Sequence, residues 1–133
     1  MKKKIALPFN TIHMVTVLDF AHSLLIADIA HHTIQRKKTV EIDDTLPSLR
    51  AHRLKDLHVT TVLCGAVSDP LSMLLWHYGI ELFPGLAGDI ESILDAFIRG
   101  DLPRFHAPDF KPGFRGKGRF RKRRRFRRGS SAM

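Results

Sequence analysis

VTTVLCGAVSDPLSMLLWHYGI, residues 59–80, is the stretch that decides the fold, because it passes from an apolar strand through a glycine into a helix. Its first nine residues are apolar and rich in β-branched side chains, which is typical of a parallel strand buried on both faces. Ser68 or Asp69 can cap the helix that follows, Pro70 suits its first turn, and Gly79 marks its end. The stretch therefore predicts one strand followed by one helix.

The same pattern repeats immediately downstream. IELFPG, residues 80–85, predicts a second strand, and GDIESILDAFIRG, residues 88–100, predicts a second helix. Asp89 is placed to cap this helix and Gly100 to end it. Two consecutive strand–helix units predict right-handed crossovers and therefore parallel strands.

Upstream of these units, the sequence predicts three strands, two of which are joined as a hairpin. KKKIALPF, residues 2–9, is expected to be a short strand that Pro8 stops. A buried strand is expected over residues 23–30. The β-branched segment TIQRKKTVEI, residues 33–42, follows after a turn that is short enough for a hairpin.

A further helix is predicted between the hairpin and the first parallel strand. TLPSLRAHRLKDL, residues 45–57, has leucines at helical spacing, with Thr45 as the expected cap and Pro47 in the first turn. The full order is then βββαβαβα, an α/β sandwich with a mixed five-stranded sheet and three helices. The predicted apolar face of this helix consists of Leu46, Leu49, Leu54 and Leu57.

Length and composition indicate one globular domain with a tail. The chain has 133 residues, of which 44% are hydrophobic and 26% charged, enough for one core and too few for two ordinary domains. No apolar run reaches the roughly 18 residues of a membrane span, and we expect no secretion signal and no membrane contact. The single cysteine cannot form an internal disulfide, which fits a cytoplasmic protein.

Positive charge is concentrated near the end of the chain. Residues 111–128 hold 11 of the 22 lysines and arginines and none of the 13 acids, so the other 11 cations and 13 acids give a net charge of −2. We expect residues 1–103 to fold and residues 104–133 to form a disordered basic tail, because prolines, glycines and like charges prevent a packed core.

The expected partner of the basic tail is RNA or another polyanion. Its cations can neutralise phosphates while its phenylalanines stack on bases, although an acidic partner protein or a role in solubility stays open. The predicted contact residues are Arg115, Lys117, Arg119, Phe120, Arg121, Lys122, Arg123, Arg124, Arg125, Phe126, Arg127 and Arg128.

Four stretches together resemble a known family. They are KKKIALPF (2–9), VLDFAHSLLIADI (17–29), LCGAVSDPLSMLLWHYGIELFPGLAGDIESILDAFIRGDL (63–102) and KPGFRGKGR (111–119). With them, residues 2–103 resemble the NifX/NifB-type dinitrogenase iron–molybdenum cofactor biosynthesis family. The resemblance implies a ribonuclease H-like three-layer fold. It also implies a non-enzymatic protein that binds or carries an iron–sulfur or iron–molybdenum-type cluster or its precursor, with iron–sulfur cofactor assembly proteins as partners.

The candidate site lies where the two parallel strands end. Cys64 and Gly65 end one strand, and the turn from Gly85 to Gly88 ends the next, so both should line one edge of the sheet beside free N–H groups of helix N-termini. A thiolate there would have a lowered pKa and suit iron, whereas burial in the core is the interpretation that we favour for Cys64. A nucleophile is less expected, because no histidine or acid lies at a spacing that predicts a partner. The candidate cofactor-binding residues are Cys64, Gly65, Ser68, Gly85 and Gly88, with Cys64 and His22 as candidate metal ligands.

The positions of the histidines bear on whether this site binds a metal. If Asp28 is aligned with the acid that closes the equivalent family strand, the two family histidines fall on Val17 and Phe20, and His22 lies two positions beyond. The alternative is therefore a vestigial cofactor pocket in a binding module that the basic tail tethers to RNA. Scattered surface positions are expected for the others considered, which are His31, His32, His52, His58 and His77.

Nuclease chemistry is excluded by the first strand. A ribonuclease H active site needs carboxylates, beginning on that strand, to hold two divalent metal ions. KKKIALPF contains none. The resemblance therefore concerns the fold and not the hydrolysis of nucleic acids.

Overall fold

The computed structural model describes residues 2–106 and places five strands and three helices in the predicted order. No helix within this range is long and apolar enough to cross a membrane. The proposed polyanion contacts, residues 115–128, lie outside the described residues. The elements are β1 (Lys2–Phe9), β2 (Ser23–Ala30), β3 (Thr33–Glu41), α1 (Pro47–Asp56), β4 (Thr61–Leu63), α2 (Asp69–His77), β5 (Glu81–Phe83) and α3 (Ile90–Arg99), with short 3-10 turns at Leu18–Phe20 and Leu102–Phe105.

The five strands form one mixed sheet in the order β3-β2-β1-β4-β5. β1, β2 and β3 form an antiparallel meander, and β4 pairs in parallel with both β1 and β5. The predicted mixed five-stranded α/β architecture is therefore confirmed, with β1 as the central strand.

Pro8 does not stop the first strand. β1 continues to Phe9, and Pro8 faces Leu24 of β2 across the antiparallel ladder. The reason is that the Pro8 carbonyl points away from β2, where it accepts from the Thr16 N–H at 3.1 Å, and the proline nitrogen lies on that same side. Since the parallel pairing with β4 has ended at Ala6, no ladder bond is lost.

Side chains alternate along the strands between the two faces of the sheet, and each face has its own core. Side chains on one face pack beneath α1 and α2, and side chains on the other face pack beneath α3. This alternation explains the continuous apolar runs within β1, β2 and β4, since both faces of these strands are covered. The first face includes Ala6, Leu24, Ile26 and Val62, and the second includes Ile5, Leu7, Leu25, Ala27 and Leu63.

The apolar face predicted for α1 is half right. Leu54 is buried and Leu57 packs against the core, but Leu46 and Leu49 are 58% and 49% exposed, and Arg50 and Ala51 are buried in their place. Thr45 is not the cap either, because Leu46 holds that position without a side-chain hydrogen bond. The buried face of the helix therefore includes a charged residue, Arg50, beside Leu54.

α2 and α3 are each capped by the polar side chain that immediately precedes the helix. Ser68, not Asp69, caps α2, and its hydroxyl accepts from the Leu71 N–H at 3.3 Å. Asp89 caps α3 as predicted, and Gly100 ends that helix in the left-handed region with φ of 76°.

The hairpin between β2 and β3 is confirmed, with an unusual turn. Its two residues, His31 and His32, have φ values of 54° and 61°. Two-residue hairpin turns with positive φ match the twist of the strands, and asparagine or glycine normally occupies them. Histidine is tolerated there at a cost in backbone strain.

The chain after α3 packs against the loop that precedes this helix. Leu102 is buried, and the ring of Phe105 lies where a side chain on Gly88 would be, since a Cβ at Gly88 would come within 3.0 Å of it. The Ala87 N–H donates to the Phe105 carbonyl at 2.7 Å. The boundary expected at residue 103 falls inside this packed turn, which the structure follows to residue 106.

Replacing Phe105 by alanine should lower the free energy of unfolding by about 1–2 kcal/mol, because a half-buried ring loses its apolar contacts. Phe20→Ala is the matched control, since that ring is 77% exposed and its loss should cost under about 0.5 kcal/mol. Urea denaturation followed by circular dichroism measures both. Equal stability of the two variants would show that the Phe105 packing contributes nothing.

Candidate functional site

The turns that follow β4 and β5 meet at the carboxyl edge of the sheet. The Cys64 N–H donates to the Phe83 carbonyl at 3.1 Å, and the Gly85 N–H donates to the Gly65 carbonyl at 2.8 Å. The Leu86 N–H donates to the Cys64 carbonyl at 3.1 Å. The structure thus brings together the two turns that sequence reasoning assigned to one site, while their cofactor role stays a prediction.

A third segment crosses this edge and closes over Gly65. The Gly65 N–H donates to the Thr16 carbonyl at 3.0 Å, and a Cβ on Gly65 would lie 3.2 Å from that oxygen. The approach is therefore tighter than most side chains allow, which explains a glycine at this position. The Leu18 N–H also donates to the Ala66 carbonyl, at 3.0 Å, so the crossing is held at two points.

The N–H groups expected to be free at this edge are used by the chain itself. Besides those of Gly65 and Gly85, the Ser68 N–H donates to Asp19 and the Ile90 N–H to the His13 carbonyl. Helix N-termini attract anions because their first N–H groups lack partners within the helix. Here the chain itself supplies acceptors at the starts of α2 and α3, so the expectation that these helix N-termini present free N–H groups is corrected.

Asp19 is the anion at the start of α2. One carboxylate oxygen accepts from the Ser68 N–H at 2.7 Å, and the other accepts from the Ser68 hydroxyl at 2.5 Å. A carboxylate beside a helix N-terminus is stabilised by the helix dipole as well as by these bonds. The Leu18–Phe20 turn, which carries Asp19, is thereby fixed to the first turn of α2.

Arg50 also binds the Leu18–Phe20 turn. Its side chain is 3% exposed, and Nη1 donates to the carbonyls of Leu18 and Ala21 at 3.2 and 2.8 Å. Burial lowers the pKa of this guanidinium, and the Asp19 carboxylate opposes that shift. Nε of Arg50 is buried without a partner in the part of the chain that the structure describes. The turn is therefore clamped between a buried cation and a helix N-terminus, and it presents Phe20 to solvent.

Cys64 belongs to the core beneath α1 and α2. Its side chain is fully buried in the cluster that includes Leu71 and Leu75. Burial raises the pKa of the Cys64 thiol well above its ordinary value, and the charge of Asp19 raises it further. The lowered pKa expected from the neighbouring helix N-terminus is therefore wrong, because desolvation and a like charge outweigh the helix dipole.

The remaining candidate ligands do not converge. His22 is exposed just after the Leu18–Phe20 turn, and Val17, where a family histidine is expected, is half-buried. No group of three or more histidine, cysteine, aspartate or glutamate side chains that could hold a metal ion occurs among residues 2–106. The five scattered histidines are exposed, as expected, at positions 31, 32, 52, 58 and 77.

Sequence reasoning missed the residues that build this edge. Thr16 accepts through its backbone carbonyl and Asp19 through its carboxylate, and Arg50 donates from its guanidinium. Their partners are all distant in sequence, so no local motif marks these residues. A weak signal was present, because Arg50, Ala51 and Leu54 have the spacing of a buried helical stripe.

Asp19→Ala should lower the free energy of unfolding by about 1–3 kcal/mol, since the Ser68 N–H and hydroxyl lose their acceptor. Asp19→Asn should cost less, because an amide oxygen can still accept one bond. Asp43→Asn is the matched control, as it removes the same charge from an exposed side chain near Arg50. Thermal and urea unfolding measure the three variants. If Asp19→Ala unfolds at the same temperature and urea concentration as the parent protein, the contacts of Asp19 with Ser68 do not stabilise the fold.

Similar folds occur among solved structures. The crystal structure of the protein PH0822 superposes with a TM-score of 0.74 at 22% identity, over 81% of this chain and 99% of that chain. A proposed dinitrogenase from Methanocaldococcus jannaschii gives 0.63 at 16% identity, over 76% of this chain and 92% of its own. A proposed NifB protein from Thermotoga gives 0.60 at 19% identity, over 74% of this chain and 90% of its own. No family model and no curated protein matches the sequence. At these identities the likeness establishes a shared fold that spans nearly the whole of each neighbour.

Proposed function

We propose that this protein is a non-enzymatic carrier that binds an iron–sulfur cluster of the nitrogenase type, or a precursor of one, as cargo. The observation that supports the proposal is the shared fold, since two of the similar structures are described as a proposed dinitrogenase and a proposed NifB protein. The family resemblance of residues 2–103 points to the same class of cargo. Iron–sulfur cofactor assembly proteins are the partners that such a carrier implies.

The carboxyl edge of the sheet is the proposed place for this cargo. Phe20 and Ala66 are exposed there, and His22 supplies an accessible imidazole next to the clamped turn. Imidazole nitrogen binds iron, whereas the buried thiol of Cys64, with its raised pKa, is a poor ligand in the folded protein. One exposed protein ligand favours loose binding, as a carrier needs to release its cargo.

An enzymatic role has little support at this edge. The thiol of Cys64 is buried and protonated, so it is not poised as a nucleophile. Asp19 is committed to the Ser68 N–H and hydroxyl, which leaves it poorly placed to serve as a general base.

Incubation with iron and sulfide without oxygen should load the protein, and His22→Ala should lower iron uptake several-fold. Cys64→Ala should retain uptake if the protein stays folded, because the thiol is not needed as a ligand. His77→Ala is the control, since this exposed histidine lies at the far end of α2. Iron per chain and visible absorption are the measurements.

Two outcomes contradict the site. Equal uptake by the parent and by His22→Ala excludes His22 as a ligand, and lost uptake in folded Cys64→Ala overturns the structural interpretation of the cysteine. Absence of uptake in the parent protein contradicts the carrier function itself.

A second function is supported by a separate observation, the 11 cations without an acid in residues 111–128. In this alternative the basic tail tethers the domain to RNA or another polyanion, and the cofactor pocket is vestigial. Arginines and lysines on such a segment contact the phosphate backbone, which gives affinity with little sequence preference.

If about half of these cations contact phosphates, the logarithm of the RNA association constant should fall against the logarithm of salt concentration with a slope of about −4. A chain that ends at residue 106 should lose this binding, since it keeps the packed turn and lacks the cations. Titration of fluorescent single-stranded RNA at several salt concentrations tests both points. RNA binding that survives the truncation, or that ignores salt, contradicts the tether.

A further inference from the structure

β3 is the longer of the two edge strands of the sheet. It has nine residues and pairs with β2 alone within the described part of the chain, whereas the opposite edge strand, β5, has only three. Exposed edges of this length attract additional strands, because their outward N–H and carbonyl groups lack partners. All residues of β3 except Ile34 and Val40 are exposed.

The direction of the free backbone groups follows from one hydrogen bond. The Ile42 N–H donates to the His22 carbonyl at 2.9 Å, so even-numbered residues at this end of β3 point their backbone groups toward β2. Because backbone groups alternate along an antiparallel strand, those of Lys37, Thr39 and Glu41 point outward. These three residues offer alternating donors and acceptors to a further strand.

The charge on this edge is strongly positive at its centre. Arg36, Lys37 and Lys38 are consecutive, and only Lys37 has an acidic partner among residues 2–106, the Glu91 carboxylate at 2.9 Å. A second copy of the chain is a poor occupant, because antiparallel pairing centred on Lys37 would place cations opposite cations. The same charges favour an acidic strand.

We propose that the outer edge of β3 binds an extended acidic peptide segment of a partner protein by strand addition. Outward backbone groups supply the ladder, and Arg36 and Lys38 select acidic side chains on the added strand. RNA is disfavoured as the occupant, since β3 carries no aromatic side chain for base stacking and its edge alternates donors with acceptors.

The test uses the full chain and a fluorescent nine-residue peptide of alternating valine and glutamate, at moderate salt. Lys38→Glu should weaken binding about tenfold, because a favourable cross-strand pair becomes a repulsive one. Lys55→Glu, an equal charge change on α1, should leave affinity within about twofold. Thr39→Pro should abolish binding, since it removes an outward N–H and leaves the bonds to β2 in place.

Hydrogen exchange on the parent protein gives a second measurement that needs no variant. The peptide should slow exchange of the Lys37, Thr39 and Glu41 amides, and a peptide with lysine in place of glutamate should not. The proposal is overturned if the acidic peptide binds the Lys38→Glu and Thr39→Pro proteins as well as the parent, which would place it on the basic tail. It is also overturned if single-stranded RNA competes with the peptide and removes the slowed exchange of these amides. A self-associated dimer in which these amides exchange slowly without peptide overturns it as well.

Discussion

The buried guanidinium of Arg50 is the constraint on which the carboxyl edge of the sheet depends. A charge taken out of water is costly unless its donors find acceptors, and Arg50 finds them in two carbonyls of a segment more than 28 residues away in sequence. Holding those carbonyls fixes the Leu18–Phe20 turn, and the turn places Asp19 against the first turn of α2. One buried cation thereby sets the position of two helices relative to a loop.

The features that could be predicted from the sequence are those set by residues that lie close together along the chain. The limits of β2 and the capping role of Asp89 follow from neighbouring residues, and the sequence was sufficient for them, whereas for α2 it left Ser68 and Asp69 as alternatives and the structure places Ser68 at the cap. The face of α1 was not predictable in the same way, because leucine spacing favours one stripe and the carbonyls that attract Arg50 belong to another part of the chain. Cys64 shows the same limit, since the effect of burial and of Asp19 on its pKa exceeds the helix dipole that its sequence position suggests.

The edge also explains why a shared fold says little about what a protein binds. Helix N-termini at the ends of parallel strands are general anion sites, and many proteins use them for ligands. In this chain Asp19 takes one of them, the His13 carbonyl takes a donor at another, and Gly65 bonds to Thr16. What stays exposed at this edge includes the surface of the clamped turn, where the Phe20 ring is 77% exposed.

The central place of β1 bears on how the chain folds. Its antiparallel partner, β2, begins 14 residues after β1 ends, whereas its parallel partner, β4, follows only after β3 and α1. Short loops close at lower entropic cost than long ones, so we expect the β1–β2–β3 meander to form before β4 joins it as the chain leaves the ribosome. Until β4 and the helices arrive, β1 is an edge strand of that meander, and its Ile5, Ala6 and Leu7, which the folded protein buries, are exposed to water. A nascent chain paused at this length is therefore the stage most exposed to aggregation.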